Sequence, residues 1–392
     1  MTAGHRPRRL AICASHPIQY YSPLFRELAR RVELRVFYAH CPSAKDQSAV
    51  GFGVEFQWDV DLMSGYQSEF LENVARDVSL EKFSGLNTPS VHDSLKRLNP
   101  DAVMLLGWHF RSYIQAITAA RRLRIPLLVR GDSQLETPRS WVRRAFKALA
   151  YPLALRIFDA ALYVGERSKR YWEHYHYPLS RLFFSPHCID NAWFRQRGTS
   201  EAAARFREAQ ALRETEKIIL FVGKLTDKKR PLDLVEAVAV ARDRHPSLVV
   251  CFAGAGPLSD VVEGRAGELG VPIRMCGFCN QTELPAIYAA STMLVLPSDG
   301  GETWGLVANE ALACGIPVVL SNACGSAPDL VADGKAGHQF PVGDVAALGD
   351  RIEHVLASRP SAEAIRRRSD SYSISAAADG IMQAVDAVVD RA

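Results

Sequence analysis

Short apolar runs alternate with helix-patterned stretches along almost the whole chain, and that alternation restricts the fold more than any other feature. In the first half, residues 9–15, 34–38, 102–106, 126–129, 160–164 and 182–185 read as strands, with helices over 21–31 and 112–122. In the second half, strands over 217–222, 248–253, 293–296 and 317–320 alternate with helices over 231–244, 283–290 and 305–313. A parallel strand pair needs a long crossover, which a helix supplies, so this order predicts parallel sheets covered by helices on both faces. The expected fold class is therefore α/β. Two such units predict two Rossmann-like, doubly wound domains, with ligands in crevices beyond the carboxyl ends of the strands.

A chain of 392 residues is long for one such unit and suits two. The expected boundaries are 1–195 for the first domain and 196–374 for the second, with a C-terminal helix over 375–392 returning to the first. The polar, Ala/Arg/Glu-rich stretch 191–216 reads as the separator, and 357–374 as a break before the last helix. With 48% apolar and 23% charged residues, the chain has the balance of a globular protein with an ample core.

Charge is divided unevenly. Residues 1–195 hold 27 Lys and Arg against 18 Asp and Glu, and the remainder 20 against 25, which together give the net +4. The basic first half implies either an anionic partner or a set of solvated arginines. The eight cysteines are scattered, mostly in apolar runs, as buried thiols of a reducing compartment are. Cys276 and Cys279 form a lone CxxC without a second ligand pair, which argues against a zinc site. The apolar part of residues 1–17 is too short for a signal peptide, and no window reaches the roughly 18 apolar residues of a membrane span. The expected location is cytoplasmic, extending to the inner face of the membrane.

The chemistry concentrates after three strands of the second half. Pro297 ends a strand, a glycine-rich loop follows, and a helix opens near Gly305. Free backbone N–H groups at such a junction suit an anion, and Gly305 lets a ligand approach the backbone. Glu302 lies in the loop and Glu310 in the helix, where carboxylates can accept hydrogen bonds from sugar hydroxyls. Gly223, Lys224, Lys228 and Lys229 place a glycine turn and a basic cluster before another helix, which suits a pyrophosphate. A third turn, Ala253-Gly-Ala-Gly-Pro257, closes the next strand.

Together, FVGKLTDKKRP, FAGAGP, Cys276-Gly277-Phe278 and the Glu-x7-Glu motif with GLVANEALACGIPVV resemble the retaining family-4 glycosyltransferases of the GT-B fold (glycosyl transferases group 1). The resemblance runs over roughly residues 217–345, and it implies that the two Rossmann-like domains face each other across a cleft. It implies transfer of a sugar from a nucleotide-diphosphate sugar, with retention and without a metal or other cofactor. It makes Lys224, Lys229 and Glu302 the catalytic candidates: the lysines hold the diphosphate and Glu302 holds the transferred sugar. It gives donor binding to Gly223, Phe278 beside the base, Gly305 and Leu306 at the phosphates, and Glu310 at the ribose, with Glu283 a second residue near the base. A carbohydrate, lipid-linked or small-molecule acceptor is implied as partner, and no nucleic acid.

The first half departs further from that family. Ala14-Ser-His16-Pro-Ile-Gln19-Tyr-Tyr stands where relatives carry a glycine pair, and His187-Cys188 replaces Asn-Gly at the interdomain hinge. Relatives place a histidine six residues after an Ile-Pro, where this chain has Asp132, so Arg130 or Asp132 becomes the candidate sugar contact. His16, Gln19 and His109 follow strands and are acceptor or sugar contacts, although a helix cap (His16) and a satisfied loop histidine (His109) fit as well. The basic, amphipathic stretch 141–151 suits either an anionic membrane or core packing with snorkelling arginines. A sugar-nucleotide epimerase of the same fold and a non-catalytic nucleotide-sugar binding protein are the alternative functions.

Overall fold

The computed structural model describes residues 7–43, 56–137 and 140–391. Its strands form two wholly parallel sheets. The first contains β1 (Arg9–Ala14), β2 (Glu33–Tyr38), β3 (Gln67–Phe70), β4 (Ala102–Leu105), β5 (Leu127–Gly131), β6 (Ala160–Tyr163) and β7 (Leu182–Phe184), in the order β3-β2-β1-β4-β5-β6-β7. The second contains β8 (Lys217–Val222), β9 (Leu248–Ala253), β10 (Ile273–Gly277), β11 (Met293–Leu296), β12 (Val318–Ser321) and β13 (Gly337–Phe340), in the order β10-β9-β8-β11-β12-β13. Both orders reverse once, between β1 and β4 and between β8 and β11. At such a point the flanking helices leave on opposite faces and open a crevice at the carboxyl ends of the strands.

Strand periodicity explains the layering. Along β8, Ile218, Leu220 and Val222 join the core on one face, and Ile219 and Phe221 the core on the other. Along β1, Ala11 and Cys13 face one way and Leu10, Ile12 and Ala14 the other. Both faces are buried because helices cover both, which is why the strands read as continuous apolar runs rather than as strict alternation.

The last helix, Ile374–Val389, closes a face of the first sheet. Ala377, Ala378, Ile381 and Val385 bury against Leu10, Ile12 and Phe25. Gly380 permits the close approach, since a Cβ there would lie 1.7 Å from the Phe184 carbonyl oxygen. Arg8 pairs with Asp386 and Asp390, and Arg31 with Asp379, along its edge.

Two stretches differ from the sequence reading. The stretch 191–216 contains the helices Asn191–Arg197 and Ser200–Ala209, and their Phe194 and Ala203 enter the core of the second half. The stretch 357–374 is largely the helix Ala362–Ser371, capped by Ser361, whose hydroxyl accepts from the Ala364 N–H at 3.2 Å. Pro360 precedes that cap, where it starts a helix rather than breaking one.

Candidate functional site

The second sheet's switch point assembles most of the second-half candidates. Gly223 and the lysines follow β8, and the loop 297–306 follows β11, the neighbouring strand across the reversal. Gly223 has φ +141° and Gly305 φ +89°, conformations that suit glycine. Gly305 is also hemmed in: a Cβ would lie 2.6 Å from Leu296 Cδ2 and 3.5 Å from Glu302 Cγ. The loop must therefore fold tightly over β11, which turns Glu302 inward.

A cleft of about 260 Å³ results, lined among others by Gln19, Tyr20, Lys229, Glu302, Gly305, Leu306 and Glu310. Six of the candidates named from sequence meet in it. Lys229 Nζ donates to Glu302, and both side chains are largely buried. Glu310 is buried on the helix Val307–Ala313 and accepts from Tyr288 Oη at 2.7 Å. Burial raises its carboxyl to about 7, with the Tyr288 and Gln281 hydrogen bonds pulling the other way. Burial, then Lys228 and Lys229, lowers the Lys224 ammonium. Three lysines thus crowd one small region, and that crowding is relieved by adding an anion.

Four candidates lie elsewhere than expected. Gly223 and Lys224 are outside the lining of this cleft. Phe278 packs its ring on Phe56 of the first half, centroids 4.5 Å apart, rather than lining the cleft. The carboxylate of Glu283 accepts from the Asn280 N–H at 2.7 Å, a local turn contact. Beside Phe278, Asn280 Nδ2 donates to the Gln57 carbonyl at 2.7 Å, and the Thr282 N–H and hydroxyl donate to Asp59. Val60 and Asp61, next along that segment of the first half, line the cleft. The chain segment 56–61 thus straps across to the second half, a contact between distant stretches that carries no sequence signal.

The first sheet's switch point makes an adjoining pocket of about 240 Å³ that shares Tyr20 as a wall. His16 follows β1, His109 follows β4, Asp132 follows β5 and His187 follows β7, and all four line it. Gly107, at φ +116°, makes the turn that aims His109. Burial lowers His16 to about 4, with His40 adding to the effect, and lowers His109 against the pull of Asp132. His187 is pushed down to about 3 by burial and then by Arg130. Its Nε2 stands 4.0 Å from Asp132 Oδ2, so the neutral imidazole and the carboxylate are neighbours rather than an ion pair. His187 Nδ1 is buried without a hydrogen-bond partner, and the ring lies 5.4 Å from that of Trp304. The sequence presented His187 only as a hinge substitution, and the fold turns it into a wall of this pocket.

Two of the first-half candidates are redistributed. Gln19 joins the cleft of Lys229 and Glu302 instead of the histidine pocket. Arg130 is buried with its guanidinium spent on the backbone, donating to Ser185 Oγ, the Ser185 carbonyl and the Pro186 carbonyl. It holds the turn that leads to His187 and does not reach either cavity. Asp132 remains at the centre, where its Oδ2 accepts from Thr303 Oγ1 at 2.6 Å, beside Glu302 in sequence. That bond ties the two cavities together.

Residues 203–371 match the family of glycosyl transferases group 1. The matched stretch contains Gly223, Lys224, Lys229, Glu302 and Glu310. An uncharacterized glycosyltransferase of Methanocaldococcus jannaschii is 37% identical over 127 residues, covering 32% of this chain and 32% of that protein. The D-inositol 3-phosphate glycosyltransferase of Corynebacterium glutamicum is 36% identical over 148 residues, 36% of this chain and 35% of its own length. The alignment thus spans about a third of these relatives. Likeness in structure extends over both halves. The crystal structure of Anabaena HepE in complex with UDP superposes with a TM-score of 0.74 at 16% identity, covering 97% of this chain and 100% of that one. The fold is GT-B.

Proposed function

We propose that this protein is a glycosyltransferase that moves a sugar from a nucleoside-diphosphate sugar to a carbohydrate, lipid-linked or small-molecule acceptor, with retention at the anomeric carbon and without a metal. The observation that carries the reading is the Lys229–Glu302 pair, set with Gly305, Leu306 and Glu310 around one cleft at a strand-order reversal. The family match over this stretch and the names of its relatives support it.

Lys229 and Glu302 satisfy each other in the structure. An entering diphosphate competes for Lys229 with more negative charge, which frees the Glu302 carboxylate to accept from hydroxyls of the transferred sugar. Lys224, just outside the cleft, adds positive charge on the same side. As the glycosidic bond to the diphosphate breaks, negative charge grows on the leaving oxygen, and a lysine already in place stabilises it without reorganisation. Glu310, buried beneath the cleft, receives the ribose hydroxyls. The pocket of His16, His109 and Asp132 takes the acceptor, with Asp132 near enough to the Glu302 loop to accept the hydroxyl proton. The protein works in the cytoplasm, peripherally at the inner face of the membrane.

The test is turnover of a nucleotide-sugar panel with and without acceptors, for wild type and for Glu302→Gln. The reading requires donor hydrolysis or transfer that Glu302→Gln reduces and a chelator leaves unchanged, and NMR of the product gives the configuration. Donor binding without turnover on a broad acceptor panel would make the protein a nucleotide-sugar binder. Conversion of the donor sugar with no acceptor would make it an epimerase.

A further inference from the structure

We infer that the helix Trp141–Ala154 seats the protein on an anionic phospholipid surface. This deepens the peripheral placement proposed above and rests on none of the donor chemistry, because attachment can be read without turnover.

The helix crosses from β5 to β6, a connection that normally buries one face against the sheet. None of its residues is buried. Trp141, Val142, Phe146, Leu149 and Leu153 are each between 56% and 86% exposed. The last four are spaced i, i+4, i+7 and i+11, which at about 100° per residue gathers them within an arc of roughly 60°. The inner side is held by other groups: Tyr151 stacks near Tyr175, centroids 5.1 Å apart, and Lys147 lies 4.7 Å over the Tyr151 ring. The apolar stripe is therefore left facing outward by design of the inner contacts, and core packing, the other reading the sequence allowed, does not hold. No described helix is long and apolar enough to cross a membrane, so the stripe suits a surface.

Charge selects the occupant. Residues 137–158 contain five basic residues, Arg139, Arg143, Arg144, Lys147 and Arg156, and no acidic one; Arg143, Arg144 and Arg156 are exposed, while Lys147 is held on the inner side. A second copy docked about a two-fold axis would bring these like charges together. An anionic bilayer accepts both features at once, taking the apolar stripe into the acyl boundary and the basic flank among its headgroups. The helix starts nine residues beyond Asp132, so a bilayer under it lies beside the half of the molecule that holds the histidine pocket.

The experiment is co-sedimentation of the full chain with vesicles of phosphatidylcholine alone, or of phosphatidylcholine and phosphatidylglycerol in equal parts. The wild type should sediment with the anionic vesicles only, and less in high salt. The double variants Phe146→Ser/Leu149→Ser and Arg143→Ser/Arg144→Ser should each weaken partitioning by about tenfold or more. Both replace exposed residues outside the cleft, so an unchanged melting temperature checks their fold. The inference is overturned by absence of sedimentation with anionic vesicles, or by variants that sediment like wild type. It is equally overturned if light scattering finds a dimer that the Phe146→Ser/Leu149→Ser variant dissociates, which would give the stripe to a second copy. Failure of vesicle binding leaves sugar transfer standing, and failure of transfer leaves this attachment standing.

Discussion

In the second half, the groups around the strand-order reversal come from two continuous stretches, 223–230 after β8 and 297–310 after β11. In the first half they come from four, after β1, β4, β5 and β7, spread from His16 to His187. Both sites obey the same rule, that helices diverging at a reversal leave a crevice at the strand ends. They differ in how the ligand groups are written into the chain. One is a pair of strand–turn–helix motifs with charged, paired side chains. The other gathers three histidines, each with its pKa lowered by desolvation, around one carboxylate. The second-half site is thus charged and coded locally, and the first-half site is largely uncharged and coded by topology.

Four measurements break or sharpen that contrast. The largest effect belongs to the charged side: Lys229→Ala should lower kcat with nucleotide-sugar by about 10²- to 10³-fold. Asp132→Ala should instead raise the acceptor KM while leaving acceptor-free donor hydrolysis within roughly threefold of wild type. Equal losses in both assays for both variants would dissolve the division into donor and acceptor sides.

Next comes the seam between the halves. Gly165, just beyond β6, faces Trp304, and a Cβ there would lie 2.3 Å from the Trp304 ring and 2.9 Å from Asp329 Oδ1. Asp329 also accepts from the Glu166 N–H at 3.0 Å and from Tyr372 Oη at 2.9 Å. Gly165→Ala should cost about 1–3 kcal/mol, read as a lower melting temperature. An unchanged melting temperature would mean that the seam is loosely packed and that the halves align by other contacts.

The third measurement is a pH dependence. Burial raises the Glu310 carboxyl from an ordinary value of 4.5 to about 7. A carboxyl raised on folding favours its protonated form, so its stabilising contribution is complete below about 4.5 and is lost as pH rises through about 7. Ribose hydroxyls donate to the ionised form, so donor binding should release a proton. Nucleotide affinity, followed by calorimetry, should weaken as pH falls below 7, by at most about tenfold per unit. Glu310→Gln should flatten that dependence. A slope that survives the substitution would assign the titration to another group.

The smallest effect tests the strap. Asp59 is solvent-exposed where it accepts from Thr282, so Asp59→Ala should weaken nucleotide binding by roughly two- to fivefold. A larger loss would show that closure of the 56–61 segment contributes much of donor affinity.

How much was legible differs between the sides for a physical reason. Glu302, Glu310, Gly305 and Lys229 were readable because the turn that positions each lies within a few residues of it. Lys224 and Phe278 were named from the same motifs, but whether a side chain lines the cavity depends on what packs on it, and for Phe278 that is Phe56 from the other half. Arg130 illustrates the reverse error. A charged residue at a strand's carboxyl end reads as a cleft group, yet the turn at Ser185 and Pro186 needed its donors more. The helix Ala362–Ser371 was missed because its short polar pattern is dominated by solvent-facing arginines, leaving Ile365 and Ser369 as its buried residues.

The sequence alone determined the alternation of strands and helices, the parallel sheets that follow from it, and the glycine-rich, charged turns at strand ends, because periodicity and turn chemistry act over a few residues. Tertiary structure decided the rest. It chose which strands flank each reversal and brought His187 beside Asp132. It also left the Trp141–Ala154 stripe facing outward. Those outcomes turn on contacts between residues far apart in the chain, where burial and hydrogen-bond satisfaction are settled by the whole fold and not by any local stretch.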